Sequence, residues 1–277
     1  EASGTEESLK VKTLSSNPSA AARTGTILVK AGDAISTTYP ELTKSISVTQ
    51  AGATISVTDR TPKPGPEAAE KLSDSFVATH DLPWVATVTS GTDWLSLLTP
   101  ESGTTGTGSQ TIDYKTTLNL NASERRGMIT VQVGNETGDS HPGPSEVITV
   151  IQAGSVFEVS PTVLDLESTA STGTVTVTGT KGLPWIVTRK EGSDAVSANI
   201  EQSTATGTGQ TVTFSVPENT DETRSATFFF AVEGATAAAP LASGENDLSH
   251  GCREILLDNS LLRQIADLIF PQPVARQ

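Results

Sequence analysis

The residues able to do chemistry in this chain are few. There are three tryptophans (Trp84, Trp94 and Trp185), three histidines (His80, His141 and His250) and one cysteine, Cys252. The histidines are isolated, in or beside turns, and no nucleophile motif lies near them, so a Ser-His-Asp site has no sequence support. No His-x-x-x-His pair exists and Cys252 stands alone, which leaves no zinc spacing. Asp221 and Glu222 could offer oxygen to calcium, but the Asp-x-Asp-x-Asp-Gly loop is missing. The carboxylates are scattered through loops, whereas glycoside hydrolysis needs two at a controlled separation in a cleft. Gly106-Thr107-Gly108 is followed by neither a helix nor Lys-Ser/Thr, so it reads as turn glycine and not as a phosphate loop. Neither catalysis nor a cofactor is implied.

Tryptophan is the residue left to explain. An exposed indole can stack on the apolar face of a sugar ring; a buried one fills the centre of a β-sandwich. Trp84 and Trp185 both follow Leu-Pro at a strand start, and that repetition favours the core. Trp94 has no counterpart, because Asp194-Ala195-Val196 stands where the chain first has Asp93-Trp94-Leu95. Core packing is preferred there too, since Leu95 follows directly and Val196 keeps an apolar residue. Trp94 is nonetheless the one candidate ligand-binding residue.

These residues lie within a repeat. Arg23-Thr24-Gly25-Thr26-Ile27-Leu28-Val29 matches Arg125-Arg126-Gly127-Met128-Ile129-Thr130-Val131, 102 residues on. Ile46 to Gly52 matches Ile148 to Gly154 at the same offset. Leu82-Pro83-Trp84 returns as Leu183-Pro184-Trp185, and Arg125 as Arg224. A unit of about a hundred residues is bead-like and far longer than a solenoid repeat. The expected organisation is a partial, second-half copy at 1–52, a complete copy at 53–154, a copy lacking its last strand at 155–234, and a C-terminal segment at 235–277.

Within each unit the hydrophobic period is two. Ile129, Val131 and Val133 alternate with Thr130 and Gln132; Val212, Phe214 and Val216 alternate with polar neighbours. Short alternating strands separated by turn-rich loops predict an all-β fold of tandem immunoglobulin-like sandwiches. Strand 147–151 departs from the pattern, with Val147 and Ile151 facing away from Ile148 and Val150. Coverage on both sides is the preferred account and a domain contact the alternative. Arg23, Arg125 and Arg224 each open a strand after a polar loop, so a loop carbonyl or carboxylate is the expected partner. Leu257, Leu261, Ile265 and Leu268 make one helical stripe, predicting a C-terminal helix over 253–270. The segment after Gly234 is expected to complete the third copy, with a strand near Glu254–Leu257 or with its helix; strand exchange with a neighbouring molecule is the alternative.

Eighteen basic against thirty-two acidic residues leave a net charge of −14. Such a surface repels phosphate backbones and anionic lipid, which argues against nucleic acid and membrane insertion. One cysteine excludes an intrachain disulfide. The first eight residues are polar and do not read as a signal peptide, although one could have been removed.

The ordered set Trp84, Trp94-Leu95, Gly106-Thr107-Gly108, Arg125-x-Gly127-x-Ile129-x-Val131 and Ile148 to Gly154 resembles the BACON family. The resemblance implies an immunoglobulin-like sandwich on a secreted or surface protein of a Gram-negative bacterium. It further implies a glycan or mucin as possible partner, beside other domains of the same surface assembly. The alternative is a structural spacer or adhesin stalk with no ligand of its own.

Overall fold

The computed structural model describes residues 8–30, 43–136, 138–220 and 223–234, together with the backbone of strand 245–250. The expected helix at 253–270, the expected strand at Glu254–Leu257, and Cys252, Asp221 and Glu222 lie outside the described residues. Every element of regular structure described is a β-strand.

The central unit is a two-layer sandwich. One sheet runs β3 (Ile55–Val57), β4 (Ala69–Ala78), β8 (Gln110–Thr116) and β6 (Leu95–Leu97). The other runs β10 (Ser145–Gln152), β9 (Arg125–Val133), β5 (Pro83–Ser90) and β7 (Ser102–Thr104). All these pairings are antiparallel. The alternating residues read from the sequence meet between the layers: Phe76, Ile112 and Tyr114 from one sheet, Ala86, Ile129, Val131, Ile148 and Val150 from the other. Burying such side chains contributes roughly 1.5–3 kcal/mol each before the entropy of ordering the chain is subtracted.

On the outer edge of β10 lies Arg60-Thr61-Pro62-Lys63-Pro64-Gly65-Pro66. The carbonyls of Arg60, Pro62 and Pro64 accept from the amides of Thr149, Ile151 and Ala153 at 2.8, 2.9 and 3.1 Å. Proline carries no N–H, so this edge accepts hydrogen bonds from β10 without returning them at Pro62, Pro64 and Pro66. Of the two apolar residues on the unexpected face of β10, Ile151 is buried and Val147 is exposed.

The third unit repeats the plan. Strands β11 (Phe157–Ser160), β13 (Ser171–Gly179), β17 (Gln210–Val216) and β15 (Ser197–Ala198) form one sheet. Strands β12 (Val163–Leu166), β19 (Glu245–His250), β18 (Arg224–Val232), β14 (Pro184–Gly192) and β16 (Gln202–Thr204) form the other. Even the irregularities recur: the register shift at Val88/Ser90 against β9 returns at Arg189/Glu191 against β18. The strand that closes the unit is β19. It pairs antiparallel with β18, setting Leu248 opposite Ala226, and parallel with β12. Completion thus comes from a segment after Gly234, earlier in the chain than the position expected at Glu254–Leu257.

The first unit contributes β1 (Arg23–Lys30) and β2 (Thr43–Gln50), an antiparallel two-stranded sheet in the register of β9 and β10. Val29 and Ile46 are exposed here, whereas their counterparts Val131 and Ile148 are buried. The second unit has an opposing sheet and the hairpin, among the described residues, does not.

Candidate functional site

Trp94 is placed by the turn after β5. Its amide and that of Leu95 both donate to the Gly91 carbonyl, at 3.1 and 2.8 Å. The side chain turns inward and is 5% exposed. Gly127 makes the space: a Cβ there would stand 2.8 Å from Leu95 Cδ2 and 3.0 Å from Trp94 Cζ2. In the third unit Ala226 occupies the position of Gly127, and the smaller Ala195-Val196 stands where the second unit has Trp94-Leu95, with Val196 and Ala226 in the same core. The departures at these two places are one steric exchange.

The guanidinium of Arg125 covers the indole, 4.6 Å from the ring centroid. Arg125 Nε donates to Gln152 Oε1 at 2.7 Å. One terminal nitrogen donates to the carbonyl and hydroxyl of Thr117, at 2.7 and 3.1 Å. The Gln152 amide nitrogen donates to the carbonyls of Thr117, Pro66 and Glu67, at 2.9, 3.2 and 3.2 Å. Desolvation pulls the Arg125 guanidinium below its ordinary pKa and Asp93 opposes that pull; arginine stays charged in either case. A cation bonded through Nε and one terminal nitrogen, with its face on an aromatic ring, makes a structural clamp. The partner expected for Arg125 was a loop carbonyl or carboxylate, and Thr117 supplies the carbonyl.

Beside the arginine sits Asn119, fully buried. Its side-chain amide donates to the carbonyls of Ser123 and Ala153, both at 2.9 Å, and its Oδ1 accepts from the Asn121 amide at 3.2 Å. The polar part of this arrangement recurs in the first unit, without the tryptophan. Arg23 Nε bonds Gln50 Oε1 at 2.7 Å, and Arg23 and Gln50 both donate to the Ser15 carbonyl, at 3.1 and 2.9 Å. Asn17 donates to the carbonyls of Ala21 and Ala51, at 2.8 and 3.2 Å. In the third unit Arg224 donates to the Glu218 carbonyl at 2.8 Å. The asparagines escape a reading that follows aromatic and apolar landmarks. Their signal is the six-residue step from Asn17 to Arg23, repeated from Asn119 to Arg125.

The other two tryptophans also face inward. Trp84 is 6% exposed and meets Phe76 edge to face, with ring centroids 5.2 Å apart. Trp185 is 0% exposed and lies 6.2 Å from the Phe230 ring. Thus the described structure presents no indole to solvent.

The histidines remain apart. His80 Nδ1 lies 2.8 Å from Asp81 Oδ2 on the surface, and His141 Nδ1 lies 3.1 Å from Ser140 Oγ within the turn at 139–141. Asp139 is held below the ordinary carboxylate range chiefly by the His141 amide. These are turn contacts between neighbours in sequence. Among the described residues no group of three or more His, Cys, Asp or Glu side chains could hold a metal ion. An open depression of about 450 Å³ is lined by Thr54, Ser56, Val77, Thr79, His80 and Thr107 among others, and none of its lining residues is Trp, Tyr or Phe.

No curated protein matches this chain. By fold it is similar to a protein of unknown function from Porphyromonas gingivalis W83, at 12% identity and a TM-score of 0.27, over 72% of this chain and 99% of that one. It is also similar to a Bacteroides ovatus GH5 xyloglucanase solved with a XXXG heptasaccharide, at 16% identity and a TM-score of 0.27, over 42% of this chain and 22% of that one. The E. coli chaperone DraB matches at 10% identity and a TM-score of 0.29, over 70% of this chain and 96% of that one. The family model described as "BACON: Putative binding domain, N-terminal" matches residues 1–51, 84–153 and 185–237. Those segments carry the arginine–glutamine clamp of the first two units, the inward tryptophans and the closing strand β10. With three segments that together span more than half of its length, this chain belongs to the BACON family and carries its domain in tandem.

Proposed function

We propose that this chain is a non-catalytic string of sandwich domains that acts as a structural spacer or adhesin stalk, holding a neighbouring domain away from the outer surface of a Gram-negative bacterium. The observation that carries this reading is the burial of all three tryptophans, with the Trp94 ring closed over by Arg125. A stacking platform needs an open aromatic face. The negative charge of the chain suits a solvated rod that avoids polyanions.

Glycan or mucin binding is the second reading, supported by the family's description as a binding domain. A sugar would have two places to go. One is the hydroxyl-lined depression beside His80. The other is Trp94, which becomes a platform only when Arg125 leaves its ring.

Screening the folded protein on an array of plant and mucin glycans separates the two. The spacer reading expects no reproducible signal above that of a heat-denatured sample. A hit that is confirmed by calorimetry and either strengthened by R125A and lost in W94A, or weakened by changes at Thr54 and Thr79, would replace it with glycan binding.

A further inference from the structure

The units are joined by short linkers, residues 51–54 and 153–156, and what surrounds those linkers is the same at both places. In the second junction the loop between β8 and β9 carries Leu118 and Leu120 out of the central sandwich. Both pack against the hydrophobic core of the third. Two glycines of the third unit lie beside them. A Cβ on Gly182 would stand 3.7 Å from Leu118 Cδ2, and one on Gly234 would stand 3.3 Å from Leu120 Cδ1.

The first junction uses the equivalent loop, 102 residues upstream. Ser16 takes the place of Leu118, and its hydroxyl donates to the His80 carbonyl at 3.1 Å. Pro18 takes the place of Leu120. Its carbonyl accepts from the Asn135 amide at 3.1 Å and lies 2.1 Å from where a Cβ on Gly134 would stand. The Ala20 amide also donates to the Pro142 carbonyl at 2.9 Å.

Behind each plug the linker is tied to the same loop. The Ala53 amide donates to the Ser19 carbonyl at 2.8 Å, and the Ser155 amide to the Asn121 carbonyl at 2.8 Å. The buried asparagines Asn17 and Asn119 hold the loop and the linker together through the carbonyls of Ala51 and Ala153. Gly52 and Gly154 press on that loop so closely that a Cβ would fall 2.1 Å from the Ala20 oxygen and 1.8 Å from the Ala122 oxygen.

Tethered domains with small interfaces move independently by default. Here the chain between units is short and hydrogen-bonded, and the plug enters the next unit. We propose that each junction is a locked joint, in which the loop before the arginine strand seats in the following unit and fixes the orientation of consecutive units. The second junction is the more apolar, with two half-buried leucines where the first has a serine and a proline held through hydrogen bonds. This rests on the spacer reading for its use, but its test is independent of glycan binding: a stiff array that binds sugar would overturn the spacer and keep the joint.

The test is pulsed dipolar EPR on the full chain carrying C252S, with spin labels at T87C and T188C, two exposed strand positions in consecutive sandwiches. A single narrow distance peak is expected. In L118S/L120S the peak should broaden about twofold or more as the units become free to reorient, while Trp185 emission reports that the third core persists. If the double variant loses that core, L118S alone replaces it and should broaden the peak less. A broad distribution in the parent, or an unchanged one in a folded variant, overturns the proposal.

Discussion

Arg125 lies flat against Trp94, its guanidinium carbon 4.6 Å from the ring centroid, with its nitrogens tied to Gln152 and Thr117. The pair turns the most suggestive aromatic of the sequence into a packed one. R125A should uncover the indole and cost about 2 kcal/mol, through the lost cation–π contact and charge-assisted bonds. Trp94 emission should shift to the red and become open to acrylamide. R125K should recover little, because an ammonium cannot span Gln152 and Thr117 from one plane. An unchanged emission maximum in R125A would contradict this geometry.

Gln152 and Gln50 make the same bond to their arginines at the same 2.7 Å, yet only Gln152 is fully buried. An unsatisfied carbonyl or guanidinium costs most where water cannot replace the lost partner. Q152A should therefore lower stability by about 2–4 kcal/mol and Q50A by less than about 1 kcal/mol. Urea unfolding of the two variants checks the contrast; equal effects would mean that burial does not set the value of the clamp.

G127A should destabilise the central sandwich by about 1–3 kcal/mol, since a methyl group would press on Leu95 and Trp94. The same methyl is already present at Ala226, in a core that holds Val196 in place of Leu95. A226G should cost about 1 kcal/mol, largely through backbone entropy. Combining G127A with W94A should relieve part of the strain, so that the double variant is more stable than the sum of the singles. Additive losses in thermal denaturation would sink the idea of a steric exchange.

Tyr114 is buried, and its phenol is pushed up to about 12, first by desolvation and then by the charges of Asp74 and Asp59. The folded state thus holds this proton more tightly than the unfolded chain, whose tyrosines ionise near about pH 10. The stabilisation is complete below that pH and is lost as pH climbs from about 10 to 12. Denaturant midpoints should fall across that window, and Y114F should flatten the fall. Absorbance at alkaline pH should show Tyr114 among the last groups to ionise.

Much of the fold was legible because it is repeated. Ile129 and Val131 could be read as inward residues from period alone, and their counterparts at Ile27 and Val29 gave the unit length. Core packing was the preferred reading of Trp94, from Leu95 beside it and the apolar Val196, and the ring is buried. The cause was not legible: Gly127, which lies in a strand remote in sequence, opens the space. Arg125 could be assigned a loop carbonyl, but not an aromatic floor, because the turn at Gly91 that swings Trp94 beneath it has no periodic signature. Asn17 and Asn119 were missed since polar residues in loops look solvated until the linkers they hold are seen. The strand β19 went unread for a related reason. Its register is set by the free edge of β18, and the polar sequence Glu245 to His250 has no alternation to announce a strand.

The proline-spaced segment beside β10 bears on how copies of this protein treat one another. Pro62, Pro64 and Pro66 hold the backbone near φ of about −65°, short of the fully extended value, along the margin of the sheet. Lys63 adds a charge between them. A flat ladder from another molecule cannot continue across such a margin. At high local concentration, this edge keeps neighbouring chains from zipping into aggregates.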